Sequence, residues 1–208
     1  MLTFDPEKHC YYWDGQPVPS VTSILNEWLK ITVGVAGSRF HVNRYTGQVI
    51  ASEIMEEGGA KGKDIHFGCE LIIKGGICWG SLAPEYVAPL QQFEKWMDEV
   101  KPEILYTELA VYHPKYGYAG TLDILAKIGR ALCFIDIKTG ESGTVGPQLA
   151  AYEQAWLAEN RFVGKTERYA LWLPKNGGAY DFEPLRNPLD WELFKSCMFQ
   201  KNYFKGAV

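Results

Sequence analysis

The chain is expected to fold as a mixed α/β (α+β) domain with a central mixed β-sheet flanked by helices. Three observations lead there. The first half reads as helix-rich, and the second half runs β-β-β-α-β-β-α. The apolar, β-rich segments on either side of Gly129-Arg130 read as the two strands of a hairpin. The chain has 208 residues, 47% of them hydrophobic, enough for one well-buried core, and no repeat or linker divides it.

The elements follow in order. Residues 2–13 alternate and end in Tyr11-Tyr12-Trp13, and Asp14-Gly15 is a strong turn signal. A short hairpin therefore returns through Gln16-Pro17-Val18. Pro19-Ser20-Val21-Thr22 opens a helix from Ser23 to Lys30, with Ser20 or Thr22 as its cap. The same hydroxyls and helix end could instead hold a phosphate. Residues 31–47 show weak periodicity and read as a loop or broken helix bearing Arg39, His41, Arg44 and Tyr45. Such residues suit a nucleic-acid strand or an ordinary surface equally. Residues 49–57 have a helical pattern, interrupted at Gly58-Gly59-Ala60-Lys61-Gly62-Lys63.

A second helix, Asp64 to Lys74, sets His66 and Glu70 one turn apart, and Gly75-Gly76 ends it. Pro84 to Glu99 is the next helix, with Val87, Leu90, Phe93 and Met97 as its apolar stripe, closed by Lys101-Pro102. Ile104 to His113 is a strand. Alternation places Leu105, Thr107, Leu109 and Val111 on one face and Tyr106, Glu108, Ala110 and Tyr112 on the other. Lys115-Tyr116-Gly117-Tyr118 turns into the strand carrying Asp123. After Lys138 a loop leads to Pro147, which begins a helix from Gln148 to about Asn160 with Gln148 and Tyr152 on one face. Tyr169 to Leu173 and Ala179 to Pro184 are strands about a turn at Pro174-Lys175-Asn176-Gly177-Gly178. Pro188-Leu189-Asp190 caps a final helix, Trp191 to Phe204, basic at Lys195, Lys201 and Lys205.

Charge and cysteine content exclude some classes. No apolar run approaches a membrane span and no basic-then-apolar signal segment opens the chain, so a cytoplasmic protein without membrane association is expected. The five cysteines are scattered and no CxxC occurs, which speaks against a zinc knuckle or a disulfide framework. Net charge is −4, so a polycationic coat is absent. The distribution is uneven: residues 1–160 hold 13 basic and 20 acidic side chains, and 161–208 hold 8 and 5. Nucleic acid stays open as a partner, because metals and local lysines can supply a positive field.

The chemistry concentrates at Gly120-Thr121-Leu122-Asp123 and Ile135-Asp136-Ile137-Lys138-Thr139-Gly140. In a strand Asp136 and Lys138 share a face, and an in-register hairpin brings Asp123 to the same patch. Converging carboxylates want a counter-ion, and hard divalent cations prefer oxygen ligands. The lysine is then free for a phosphate oxygen or an attacking water. A solvated ion pair on a sheet edge would carry the same Asp-x-Lys spacing. Likewise His66 is either a ligand or a plain core histidine, and Glu108 either a ligand or a solvated sheet residue.

Taken in order, Pro19-Ser20-Val21-Thr22, Gly62-x-x-x-His66, Glu108, Gly120-x-x-Asp123, Asp136-x-Lys138-Thr139-Gly140 and Gln148-x-x-x-Tyr152 resemble the PD-(D/E)XK nuclease superfamily. The likeness is to its RecB-like and phage-exonuclease branch and covers roughly two thirds of the chain. Leu122 stands where the motif has its leading proline. The resemblance implies a restriction-endonuclease-like core in a single domain over 1–208, with a helical part at 19–100 and a catalytic core at 104–184. It implies a magnesium- or manganese-dependent exonuclease that hydrolyses phosphodiester bonds from linear DNA ends in phage or prophage recombination or repair. An endonuclease, a short-DNA trimming nuclease and a non-catalytic DNA-binding protein on the same scaffold are the alternatives.

In the roles so implied, Asp123, Asp136, Lys138 and Glu108 are catalytic. His66, Asp123, Asp136 and the Ile137 carbonyl hold the metal, and Ser20, Thr22, Gln148 and Tyr152 face the DNA. A bacterial, phage or prophage origin, a recombination or annealing protein as partner, and a homo-oligomer all fit that branch. Some RecB-like nucleases hold an iron–sulfur cluster through late cysteines. Here only Cys197 lies beyond Cys133, so no iron–sulfur cluster is expected. No phosphate-binding P-loop occurs either.

Overall fold

The computed structural model describes residues 1–8, 10–35, 38–43, 49–140 and 142–205. Three strands open the chain: β1 (Leu2–Asp5), β2 (Cys10–Trp13) and β3 (Gln16–Val18). They form an antiparallel sheet in that order. The turn between β2 and β3 has φ of 47° at Asp14 and 79° at Gly15, the left-handed pair that Asp-Gly supplies at low cost. Next come α1 (Val21–Leu29), β4 (Lys30–Val35), β5 (Ser38–Asn43) and β6 (Val49–Ala51). The stretch read as a loop or broken helix is therefore a hairpin, with a third strand where a helix is expected. Ile31, Thr32, Val33 and Val35 favour strand, and the interspersed glycine masks that signal in the sequence. Arg44 and Tyr45 lie outside the described residues.

The helix α2 (Ser52–Ile73) runs unbroken through Gly58, Gly59 and Gly62, where the sequence suggests an interruption. Gly62 packs on Thr139, and α2 runs on through Gly59 at the helix-propensity cost of glycine. The helix ends in a Schellman motif: Gly75 N–H donates to Ile72 O, Gly76 N–H donates to Leu71 O at 2.8 Å, and Gly75 has φ 69°. The remaining elements are α3 (Pro84–Val100), β7 (Glu103–His113), β8 (Tyr118–Ile128), β9 (Ala131–Lys138), α4 (Val145–Glu159), β10 (Lys165–Trp172), β11 (Asp181–Pro184) and α5 (Asp190–Lys205). Among the described residues no helix is long and apolar enough to cross a membrane.

The central sheet has the order β11-β10-β9-β8-β7. It is mixed as expected, with β9 and β10 parallel and the other neighbours antiparallel. A parallel pair needs a crossover, and α4 supplies it. Alternation on β9 sorts two cores. Cys133, Ile135 and Ile137 join Ile65 and Cys69 of α2 and Phe93 and Trp96 of α3. Leu132 and Phe134 join Ile24 of α1, Leu149 and Ala155 of α4 and Phe194 of α5. Arg168 binds three elements on this second face. It reaches Glu153 of α4, and its Nη1 donates to Asp190 Oδ2 of α5 at 3.1 Å.

Strict alternation fails where β7 meets β8, which also shows a register shift between Ile104 and Tyr106. Leu122 packs in the core with α4, whereas Ile124 packs in the core with α2. Opposite them on β7, Leu109 joins the first core, but Thr107, paired with Ile124, lines a hollow beside α2. The expected shared face of Leu105, Thr107, Leu109 and Val111 is thus broken at Thr107. Between Thr107 and Leu109 sits Glu108 with φ 48°, a left-handed conformation that re-aims the strand.

Gly120 is a point of close approach. A Cβ there would collide with the ring of Tyr152, which is 3% exposed. Gly120→Ala is expected to cost about 1–3 kcal/mol in urea unfolding. Gly59 has nothing within 4 Å of its would-be Cβ and lies in α2. Gly59→Ala is therefore expected to stabilise by about 0.5–1 kcal/mol, and equal effects of the two substitutions would contradict this packing.

Candidate functional site

The site begins where a ladder stops. β8 pairs with β9 from Ile128↔Ala131 to Ile124↔Ile135 and no further. The next position in that register sets Asp123 against Asp136. There the Ile137 N–H donates to Asp123 Oδ2 at 2.7 Å, a side chain taking the place of a backbone acceptor. The flanking ladders continue, β7–β8 to His113↔Tyr118 and β9–β10 to Lys138↔Trp172. The sheet is therefore forked at the two aspartates, and side chains from both faces reach the fork.

From one face α2 delivers His66, whose Nδ1 lies 3.5 Å from Asp123 Oδ2. Glu108 comes from β7, level with Asp123. One ligand atom each from His66, Glu108 and Asp123 fall within 4.8 Å of one another. Atoms bound to one cation at about 2.1–2.4 Å are separated by no more than that, so the trio fits a single divalent ion. The hollow they line with Cys69, Glu70 and Thr107 holds only about 10 Å³, room for an ion or a water but not a nucleotide. Glu70 does not orient His66. It accepts from Lys74 Nζ at 2.6 Å.

From the other face α4 delivers Gln148 and Tyr152. Gln148 Nε2 donates to Asp136 Oδ1 at 2.9 Å and to the Tyr152 hydroxyl at 3.1 Å. The one-face placement of these two residues is observed, but both are buried and brace Asp136 from within. Asp136 is 1% exposed, and its Oδ2 is paired with the Lys138 ammonium. Lys138 is 19% exposed and held in that ion pair, so it is not the free ammonium the sequence suggests. Asp136 lies outside the trio, and Ile137 enters through its N–H.

The electrostatics follow from crowding. Burial opposes charge on His66, but the Asp123 carboxylate beside it outweighs burial and raises it to about 9. Burial opposes charge on Asp123 as well, yet His66, Lys138 and the Ile137 N–H hold it below the usual carboxylate range. Asp136 is pushed up to about 6 by burial, with Asp123 adding to the push and Lys138 opposing it. Burial and the Asp123 charge lift Glu108 to about 7. Partial burial disfavours the Lys138 charge, but Asp136 and Asp123 keep it above its ordinary value.

At the edge of the site Ser20 caps α1, its Oγ accepting the Ser23 N–H at 3.0 Å. The Thr22 hydroxyl is 3.2 Å from Ser20 Oγ and Thr22 is exposed. The cap role thus falls to Ser20. The would-be Cβ of Gly62 lies 3.6 Å from Thr139 Oγ1, which brings α2 against the loop that follows Lys138. Two further residues were not read from the sequence. The Tyr11 hydroxyl is 2.7 Å from Thr121 Oγ1. Burial, and then the nearby Glu108 and Asp123 charges, raise Tyr11. The aromatic Tyr11-Tyr12-Trp13 was a visible signal, but its partner lies 110 residues away. No known protein-family model matches the chain, and no curated protein is significantly similar to it.

Glu108 carries a backbone cost in its left-handed conformation. Glu108→Gly is expected to be more stable than Glu108→Ala by about 1 kcal/mol in chelator, and the reverse order would deny strain at this position. The pKa shifts set a pH dependence. In chelator, Glu108 and Asp136 contribute stability in full below their unfolded values and lose it as pH rises through about 7 and about 6. His66 loses its contribution as pH rises through about 9. Asp123, being lowered, loses its contribution only on acidification. The metal-free melting temperature is therefore expected to fall from about pH 5 to about pH 9, and Glu108→Gln/Asp136→Asn to flatten that fall. A wild-type curve no steeper than that of the double variant would refute the assignment.

Proposed function

We propose that the protein is a magnesium- or manganese-dependent nuclease that hydrolyses phosphodiester bonds in DNA. The observation that carries this reading is the forked sheet. There two aspartates on neighbouring strands meet a histidine from one face, and a lysine stands beside the second aspartate. The family resemblance adds DNA as the substrate and linear ends as the starting point, in phage or prophage recombination or repair. It also brings a restriction-endonuclease-like reading of the core.

His66, Glu108 and Asp123 would hold the cation, with Asp136 alongside. When bound, such an ion withdraws charge from the phosphodiester oxygens and acidifies a water. The chain's own residues do the rest. Gln148 fixes the orientation of Asp136 through Oδ1, and Tyr152 fixes Gln148. The Ile137 N–H holds Asp123 ionised and aimed into the fork. The Lys138 ammonium opposes the rise that burial imposes on Asp136, and it would supply a fixed positive charge where negative charge develops on the phosphate. His66, raised to about 9 beside Asp123, would hold the cation in its neutral form and would therefore give up a proton on binding it.

The test is cleavage in magnesium of linear duplex DNA labelled separately at each end, alongside covalently closed circular DNA. Digestion of the linear form alone is expected. Lys138→Met keeps the aliphatic stem and removes the charge, and is expected to lower the rate by about 10²-fold or more. Magnesium is expected to raise the melting temperature of wild type, and Asp136→Asn to blunt that response. Near wild-type cleavage by Lys138→Met would remove its assigned role. Absence of cleavage on every substrate, with the magnesium response intact, would leave a metal-binding protein that is not a nuclease.

A further inference from the structure

The β7–β8 ribbon runs past the end of β9. β9 ends at Lys138, level with Thr121 in the register that pairs Ile124 with Ile135, whereas β7–β8 pairing continues to His113↔Tyr118. The ribbon tip therefore overhangs the end of the sheet that holds the fork. From Asp123 to Tyr118 the strand covers roughly 17 Å.

The tip meets α5. The Tyr116 ring lies 6.3 Å from that of Phe199 and 5.7 Å from that of Trp191, both edge-on. Lys115 Nζ stands 5.3 Å over the Tyr116 ring, and Lys195 Nζ 5.6 Å over the Trp191 ring. Phe199 is 55% exposed and Tyr203, one turn on, 73%. Residues 193–205 contain Lys195, Lys201 and Lys205 and no carboxylate. The bordering acid is Glu192, which accepts from Lys195 at 2.8 Å. The whole chain has a net charge of −4, so the exposed Lys115 at the tip is a local positive charge.

Exposed rings beside an ammonium group are the chemistry that grips a single strand, the rings stacking bases and the cation meeting phosphate. A protein partner is the poorer fit, because lysine is depleted at protein interfaces. We propose that the exposed rings of Phe199 and Tyr203, with Lys115 over the half-buried Tyr116, form a stacking track for single-stranded DNA, beside the ribbon tip and apart from the fork. The occupant rests on the nuclease reading, since a strand that leads to the fork from this end passes the tip.

The test is fluorescence anisotropy of labelled oligothymidylate of about 20 nucleotides in chelator, where no cleavage occurs. Phe199→Ala/Tyr203→Ala is expected to weaken binding by about 10-fold or more, the scale of lost base–aromatic stacking. Lys115→Ala is expected to reduce the slope of log affinity against log salt by about 0.7, one phosphate contact. Cleavage of a dinucleotide, whose single phosphodiester cannot sit at the fork and also reach a tip roughly 17 Å away, should stay at the wild-type rate in magnesium. Unchanged affinity in all variants overturns the proposal. So does a change of oligomeric state on size exclusion without a change in DNA affinity, because the rings would then form a self-association face. Weaker oligonucleotide binding by the variants of a protein that cleaves nothing supports the track and removes the nuclease reading. Cleavage by wild type with unaltered binding by the variants does the opposite.

Discussion

The Asp123 carboxylate accepting the Ile137 N–H is the contact on which the rest of the site depends. Backbone N–H groups in a sheet interior are normally satisfied by the neighbouring strand. Here a side chain does it, so β8 and β9 can part without leaving an orphaned donor. Parting opens the sheet where Asp123 and Asp136 face each other. That opening is what allows His66 from one helical layer and Gln148 from the other to serve one locus. In a continuous ladder the sheet would separate the two layers.

A fork lined with carboxylates has to manage repulsion. The structure spreads it unevenly. Asp123 has His66, Lys138 and a backbone N–H and stays ionised, while Asp136 and Glu108 are pushed towards protonation by burial and by Asp123. Carboxylates of such different acidity so close together are costly unless a cation joins them, which is why perturbed groups in a hollow point to function. The left-handed Glu108 belongs to the same pattern, since backbone strain is held where a side chain must be aimed rather than packed.

The surroundings keep the fork rigid. Tyr152 lies against Gly120, where no larger residue fits, and holds Gln148. Arg168 ties β10 to α4 and α5 through Glu153 and Asp190. The amino-terminal sheet docks by Tyr11 on Thr121, by Trp13 stacked 4.0 Å from Tyr112, and by the bridge of Ser20 to Ala119. Each of these contacts lands on β7 or β8, between the fork and the ribbon tip.

The sequence by itself determined the mixed sheet, the hairpin about Gly129, the turn at Asp14-Gly15, the end of α2 at Gly75-Gly76 and the shared face of Gln148 and Tyr152. Those signals are local: side-chain period, glycine's tolerance of positive φ, and the spacing of a helical turn. Glycines misled where the helix runs on through them at a propensity cost, as in α2, and where they diluted a strand pattern, as in β4 and β5. Only the tertiary structure decided where the β8–β9 ladder stops, that Lys138 is locked to Asp136, that Thr107 leaves the face of Leu105 and Leu109, and that Glu108 turns left-handed. The Tyr11–Thr121 bond belongs with these. Each depends on groups that meet across strands or across more than a hundred residues, and a pairing of that range leaves no periodicity in the chain to be read.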